Sequence, residues 1–257
     1  RTAIYTHIGG DADGREMLEV FKSEGVATDF IRVDEGKGSN FSSVINYGPE
    51  RVIFVFHEHR DYHLPEFPKV PWVYYSSSAE GHEVLHGAVN KYIKESGAKL
   101  GFNPGTYQLK EGLEGEKLIF EVTEVLLLNR EEAQKLVGGD KADTKRLLNE
   151  LRSHGPKTVI ITDARNGAFA YDGNQYLHCG IPEESPVVER TGAGDAFSTG
   201  TVAALSKGLT LSEAMVWGTL NSTSVVLYIG AREGLLTPAR MAEMKEKWGS
   251  SFEVKEF

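Results

Sequence analysis

From Trp72 to Thr162 the sequence alternates strand-sized apolar runs with helix-length segments, and this alternation restricts the possible folds more than any other feature. The runs are Trp72–Tyr75, Lys99–Phe102, Val125–Leu128 and Thr158–Thr162. Helices are expected between them at about 80–96, around 113–121, and at 130–137 and 141–154. Strands joined through helices pair in parallel, because a parallel connection needs a long crossover. The pattern therefore predicts a mostly parallel sheet with helices on its faces, a three-layer α/β/α sandwich.

The flanking segments read differently. Ala3–Ile8 is a strand, Gly9-Gly-Asp-Ala-Asp-Gly14 a turn, and Met17, Leu18, Phe21 and Val26 form the apolar side of a following helix. Residues 28–33, 40–47 and 51–56 read as three strands, the last two joined by a Gly48-Pro49-Glu50 turn, which suggests a small antiparallel sheet. The expected organisation is a core over 1–27 and 57–257 carrying a β appendage over 28–56. A hairpin is expected from 168–171 and 175–178 around Asp172-Gly-Asn174. The last third is helical, over 195–206, 210–228 and 238–248.

Composition narrows the function. With 28 Lys plus Arg against 37 Asp plus Glu, the formal charge is −9 and the cations are scattered, which argues against nucleic acid as a partner. A nucleotide remains compatible, since Mg²⁺ and backbone N–H groups supply local positive potential. Cys179 is the single cysteine, so no internal disulfide forms, and the longest apolar runs fall far short of a bilayer span. A cytoplasmic protein with no membrane partner is expected.

The chemistry-bearing run is Thr191-Gly-Ala-Gly-Asp-Ala-Phe197. Gly192, Ala193 and Gly194 precede a helix opening on Asp195, so free N–H groups of the helix start would converge where a phosphate could sit. Asp195 offers a carboxylate able to take a proton from an attacking hydroxyl. Asp is also a leading N-cap residue, and this run alone leaves both roles open. A dinucleotide fingerprint is excluded because Phe197 stands where a third Gly or Ala is needed, and no Walker A sequence is present.

The longer run Glu189-Arg-Thr-Gly-Ala-Gly-Asp-Ala-Phe-Ser-Thr-Gly200 resembles the C-terminal signature of ribokinase-like (PfkB-type) carbohydrate kinases, usually Asp-Thr-x-Gly-Ala-Gly-Asp-x-Phe. The resemblance implies an ATP-dependent kinase acting on a sugar or nucleoside, with Asp195 as base and Gly192, Ala193 and Gly194 as anion hole. Asn129-Arg-Glu-Glu132 resembles the family's Asn-x-x-Glu motif, which organises Mg²⁺ and the phosphates, with Glu132 in the outer shell of the ion. The other reading of this segment is a helix cap with its box partner. Thr162-Asp-Ala-Arg-Asn-Gly167 occupies the place of the Thr-Leu-Gly-x-x-Gly nucleotide loop, matching at Thr162 and Gly167 but not at Asp163 and Ala164. Asn103 falls where the family often places a residue near the phosphates, or is a turn former. Asn221 resembles a residue near the adenine, or is a polar residue satisfied inside a helix pair.

The β appendage is similar to the family's lid, which closes over the sugar, and Gly38-Ser-Asn-Phe-Ser42 would face the substrate through Asn40 and Ser42. The lid is also a candidate homodimer interface. Glu189-Arg190 replace the usual Asp-Thr, a position tied in many members to a monovalent cation, so potassium dependence is not implied. The family's first strand with its sugar-binding Asp, and a Gly-Gly-x-x-x-Asn segment, are absent from this sequence, which leaves the acceptor half of the site the less legible one. Two rival readings remain. A non-catalytic sugar- or nucleotide-binding module would release no ADP. A metallohydrolase would use His57, His59, Asp61 and His63, but Tyr62 breaks the ligand spacing of the His-x-His-x-Asp-His motif.

Overall fold

In the computed structural model, residues 1–47, 50–138, 143–182, 187–248 and 253–257 are described. The chain divides into two compact units, residues 1–67 with 79–85 and residues 68–78 with 86–257.

In the first unit, β1 (Ala3–Gly9), α1 (Ala12–Ser23) and β2 (Ala27–Asp34) form a β-α-β unit whose strands pair in parallel. β3 (Phe41–Tyr47) and β4 (Glu50–Phe56) pair antiparallel with each other. The expectation that residues 28–33 join a three-stranded antiparallel sheet is corrected here. An intervening helix returns the chain in the same direction, so β2 lies parallel to β1. The antiparallel sheet is two-stranded, and the expected Gly48-Pro49 turn lies outside the described residues.

Asp11 fixes the entry to α1. Its Oδ1 accepts hydrogen bonds from the Gly14 N–H at 2.9 Å and the Ser39 hydroxyl at 2.7 Å, and its Oδ2 accepts from the Ser39 N–H at 2.7 Å. These donors hold its pKa down at about 2. Gly9 is required by close approach, since a Cβ there would collide with the backbone of residues 37–39.

The second unit is built on a seven-stranded sheet of order β11-β10-β9-β8-β7-β6-β5. Four strands run parallel: β5 (Trp72–Tyr75), β6 (Lys99–Phe102), β7 (Thr123–Asn129) and β8 (Thr158–Thr162). β9 (Ala168–Tyr171), β10 (Tyr176–Cys179) and β11 (Val254–Glu256) continue antiparallel. The helices are α2 (Glu83–Ser96), which the unit boundary divides, then α3 (Thr106–Lys110), α4 (Gly112–Gly115), α5 (Lys117–Phe120), α6 (Arg130–Val137), α7 (Thr144–Ser153), α8 (Ala193–Ser206), α9 (Leu211–Val225) and α10 (Pro238–Trp248). The helix expected around 113–121 is broken into α4 and α5, with α3 an unforeseen addition. The expected start of α7 at Lys141 lies outside the described residues.

Strand alternation divides the core into two layers. Val125, Leu127, Ile160, Ala168, Ala170, Leu177 and Cys179 pack with Phe197, Val202, Met215 and Leu220 of α8 and α9. The intervening Leu126, Leu128, Val159 and Ile161 are equally buried and face the side of α6 and α7, whose Ala133, Leu136, Leu147, Leu148 and Leu151 are buried too. Each such aliphatic side chain contributes about 1.5 to 3 kcal/mol of burial. The result is the expected three-layer sandwich, in which α8 packs against β5 and β7. No helix among the described residues is long and apolar enough to cross a membrane.

Candidate active site

Gly192 turns the chain into α8 with φ +80°, a left-handed conformation suited to glycine. A Cβ there would meet the Ala231 backbone oxygen at 2.7 Å, so space as well as conformation demands glycine. At Gly194 a Cβ would meet nothing within 4 Å, leaving open room beside the helix start. Among the described residues, the Gly194 and Asp195 amides have no backbone acceptor, as expected for a first helical turn.

Asp195 stands in this first turn with its side chain reaching solvent, yet the protein around its base pushes its pKa above the usual carboxylate range. Burial raises the Glu132 pKa as well, and the charge of Asp195 adds to the rise. The charge of Asp195 is thus felt at Glu132, where it disfavours ionisation, a repulsion that a divalent cation would relieve. Open room at Gly194, free amides and paired carboxylates together fit a Mg²⁺-bound polyphosphate.

Asn129 ends β7 and caps α6. Its Oδ1 accepts from the Glu132 N–H at 2.9 Å, while Glu132 Oε2 accepts from the Asn129 N–H at 2.8 Å. The capping box is thus formed and orients Glu132. Thr162 lies directly across from Asn129 on β8, so strand register alone brings those two positions together. The loop that follows closes with an Asp163 N–H to Gly167 carbonyl bond of 2.7 Å. Gly167 has φ +82°, and Ala164, which departs from the glycine of the family loop, has φ +45°. That departure falls on a backbone conformation where glycine carries no steric cost.

Asn103 donates to the Leu127 carbonyl at 2.8 Å, and its Oδ1 accepts from the Tyr74 hydroxyl at 3.4 Å. Asn221 is buried and employed within the protein, donating to the Ala196 carbonyl at 2.7 Å and accepting from the Leu236 N–H at 2.9 Å. Of its two sequence readings, this geometry fits the one in which it ties helices together. Glu189 accepts from the Thr191 hydroxyl at 2.6 Å and the Gly230 N–H at 2.8 Å.

Tyr74 was not singled out from sequence. Its pKa is pushed up to about 12, foremost by burial and then by the charge of Asp195, against hydrogen bonds with Ser198 and Ser76. A buried hydroxyl that stays protonated beside the candidate base follows from its place near the end of β5, and the strand-end aromatics Trp72-Val-Tyr-Tyr75 were the only available signal.

In the first unit, Asn40 Oδ1 accepts from the Glu58 N–H at 2.8 Å, and Ser42 is exposed on β3 opposite Val55. His57, His59, Asp61 and His63 are all exposed. The nearest approach recorded between His59 and Asp61 is 3.8 Å, and the four do not form a metal-ligand group among the described residues.

Residues 1–238 match the family model described as pfkB family carbohydrate kinase. The chain is 27% identical over 246 residues to an uncharacterized sugar kinase of Archaeoglobus fulgidus, covering 91% of this chain and 94% of that one. It is 32% identical over 130 residues to a cytidine kinase of Thermococcus kodakarensis, 49% of this chain and 45% of the other. Among solved structures, aminoimidazole riboside kinase from Salmonella enterica, complexed with aminoimidazole riboside and an ATP analog, superposes with a TM-score of 0.78 at 23% identity. That match covers 94% of this chain and 85% of that one.

Proposed function

Because the chain belongs to the pfkB family of carbohydrate kinases, we propose that it moves the γ-phosphoryl group of ATP to a hydroxyl of a sugar or nucleoside, with Asp195 as the base. The observation that carries this reading is the start of α8, where Asp195 stands beside open room at Gly194 and shares its surroundings with Glu132.

Asp195 accepts the proton of the acceptor hydroxyl as its oxygen bonds to the γ-phosphorus. The bond from that phosphorus to the β–γ bridging oxygen breaks, and ADP leaves with the electron pair. The expected anion hole of Gly192, Ala193 and Gly194 shifts by a residue, since the Ala193 N–H is given to the Arg190 carbonyl at 3.3 Å; the N–H groups of Gly194 and Asp195 stabilise the charge on the transferred group, each such donor contributing about 3 to 4 kcal/mol. Asn129, Glu132, Thr162 and Gly167 hold the nucleotide end, Glu132 through the water shell of Mg²⁺, which would neutralise charge on the phosphates. Asn103 and the protonated Tyr74 keep the β5 side of the base in place. Asn40 and Ser42 are the proposed acceptor-side contacts, and an ATP-using enzyme of this kind works in the cytoplasm.

Two finer points have support of their own. Glu189 already receives two protein donors, so turnover is expected without a monovalent cation. β3 and β4 expose Phe41, Ile45, Val52, Phe54 and Val55, each at least 55% accessible. Both faces of this ribbon are apolar, and a two-stranded ribbon is marginal by itself, which favours pairing with the same ribbon of a second copy.

ADP release measured across sugars and nucleosides tests the reading. Asp195→Asn should lower the rate by about 10² to 10⁴ while ATP still binds; full activity in that variant would sink the mechanism.

A further inference from the structure

The apolar ribbon of β3 and β4 is joined to the rest of the first unit by an entry segment, residues 34–40, and an exit segment, residues 57–63, and its backbone ladder ends at the pair Phe41 and Phe56. Below that pair, side chains take over the pairing. The Glu58 N–H donates to Asn40 Oδ1 at 2.8 Å, and Lys37 Nζ donates to the His59 carbonyl at 2.6 Å. Arg60 Nη2 donates to the Gly38 carbonyl, while its Nη1 donates to Asp34 Oδ2 at 2.7 Å. With 40 beside 58 and 38 beside 60, these contacts nearly keep the register of the strands and prolong the ribbon down to the end of β2.

Arg60 is the costly member of this set. It is only 2% exposed, and its Nε has no acceptor among the described residues. A buried donor left unmatched lowers stability, and a buried ion pair is better suited to fixing a register than to adding stability. Its partner is firmly held, since Asp34 Oδ2 also accepts from His7 Nδ1 at 3.0 Å. Burial acts to raise the Asp34 pKa, yet the hydrogen bonds from His7 and Arg60 hold it below the usual carboxylate value. The guanidinium fork thus spans an ionised carboxylate and a carbonyl of the entry segment, a geometry that an ammonium does not reproduce. The entry segment has an anchor of its own in the bonds from Ser39 to Asp11. The exit segment is otherwise held at the His59 and His63 carbonyls, by contacts made in exposed surroundings, which leaves Arg60 as its buried polar tie.

The exit segment matters because its Glu58 N–H orients Asn40. A backbone donor is met only by the amide oxygen, so Asn40 Nδ2 is turned away, and it has no acceptor among the described residues. An NH₂ group presented in this way recognises a hydroxyl or carbonyl oxygen. We infer that Arg60 is a positioning residue that acts through Glu58 and Asn40: it fixes where these amide donors point, and so sets affinity for the acceptor while leaving affinity for ATP alone. The inference rests on the reading of Asn40 as an acceptor-side contact of a kinase.

Hydrogen exchange and steady-state kinetics on the full chain test it with Arg60→Met, which fills the space without the charge, and with Arg60→Lys. In Arg60→Met, amides of residues 57–61 should exchange faster by about tenfold or more, the size of one lost charge-assisted bond, while those of β6, β7 and β8 keep their wild-type protection. With ribose, fructose or cytidine as acceptor, whichever turns over, the acceptor KM should rise about tenfold or more and the ATP KM should not change. Arg60→Lys should fall between Arg60→Met and the wild type. A merely structural role would lower kcat per total protein and leave both KM values where they are. Adding Arg60→Met to Asn40→Ala should raise the acceptor KM less than about twofold further, because the two residues act through one contact. Unchanged exchange over residues 57–61, an unchanged acceptor KM, or effects of the two substitutions that multiply would each overturn the inference. If Arg60→Met does not fold, Arg60→Lys carries the same comparisons in the same direction. A wild type that releases no ADP across sugars and nucleosides counts against the kinase reading alone, and the exchange comparison still decides whether Arg60 holds the exit segment.

Discussion

Glu116, between α4 and α5, is wholly shielded from solvent, and neither of its carboxylate oxygens accepts a hydrogen bond among the described residues. His86 Nε2 stands 3.8 Å from Oε2. Burial pushes the Glu116 pKa up to about 8 from 4.5, with the charge of Glu111 adding to it. The folded state therefore keeps a proton that the unfolded chain releases above pH 4.5. The stability tied to this group is complete below that pH and is lost as pH rises toward about 8. A gap of about 3.5 pH units at about 1.4 kcal/mol each sets a ceiling near 5 kcal/mol, of which about 3 to 4 kcal/mol falls between pH 5 and pH 8.

Glu116→Gln keeps the shape and removes the titration. Urea unfolding of both proteins at pH 5 and pH 8 should show the wild type losing about 3 to 4 kcal/mol more than the variant over that interval. If the two curves run parallel with pH, to within about 0.5 kcal/mol, which is the scale of an uninvolved substitution, then Glu116 is not held protonated by its burial and the reasoning fails.

Asp11 should behave with the opposite sign. Its pKa is lowered to about 2, so its contribution is present above pH 3.8 and fades as pH falls toward 2, and Asp11→Asn should destabilise the protein at pH 7 by a difference that shrinks in acid-unfolding comparisons. The acid limb of the ADP-release profile should have a midpoint above 3.8, following the raised Asp195 pKa; a limb at or below that value would remove Asp195 as the titrating base. Gly192→Ala, which places a Cβ against Ala231 at positive φ, should displace the helix start and cut kcat while circular dichroism shows the fold retained. Equal kcat in potassium and in tetramethylammonium salts is expected if the Glu189 carboxylate is satisfied by Thr191 and Gly230; strong potassium activation would contradict that.

The sheet was legible because its signal is local. Four short apolar runs separated by helix-length segments permit little besides parallel strands, and β6, β7 and β8 fall where the sequence puts them, to within a residue or two. Pairing partners are a different kind of information. Residues 28–33 carry ordinary strand composition, and nothing within them says that they lie beside β1 and not beside residues 40–47. What decides it is α1, a feature of the preceding segment. The break between α4 and α5 was hidden for a similar reason. Glu116, inside the expected helix, is an ordinary charged residue by sequence, whereas the structure buries it completely.

The candidate site shows the same division at the level of single residues. Gly192 and Gly194 could be marked together by their spacing, but they act in unlike ways. One turns the backbone where no side chain fits, and the other leaves room that a side chain would occupy. Asn129 and Glu132 were open to a capping or a functional reading, and the capping box is formed. That does not compete with function, because the cap fixes the position of the Glu132 carboxylate, whose ionisation burial disfavours and the charge of Asp195 disfavours further. Tyr74 is separated from Asp195 by more than a hundred residues of sequence and carries no motif. It joins the site only because β5 and α8 are neighbours in the folded unit. Side chains that join a site through long-range packing stay invisible to spacing arguments, and Tyr74, whose hydroxyl feels the charge of Asp195, is one of them.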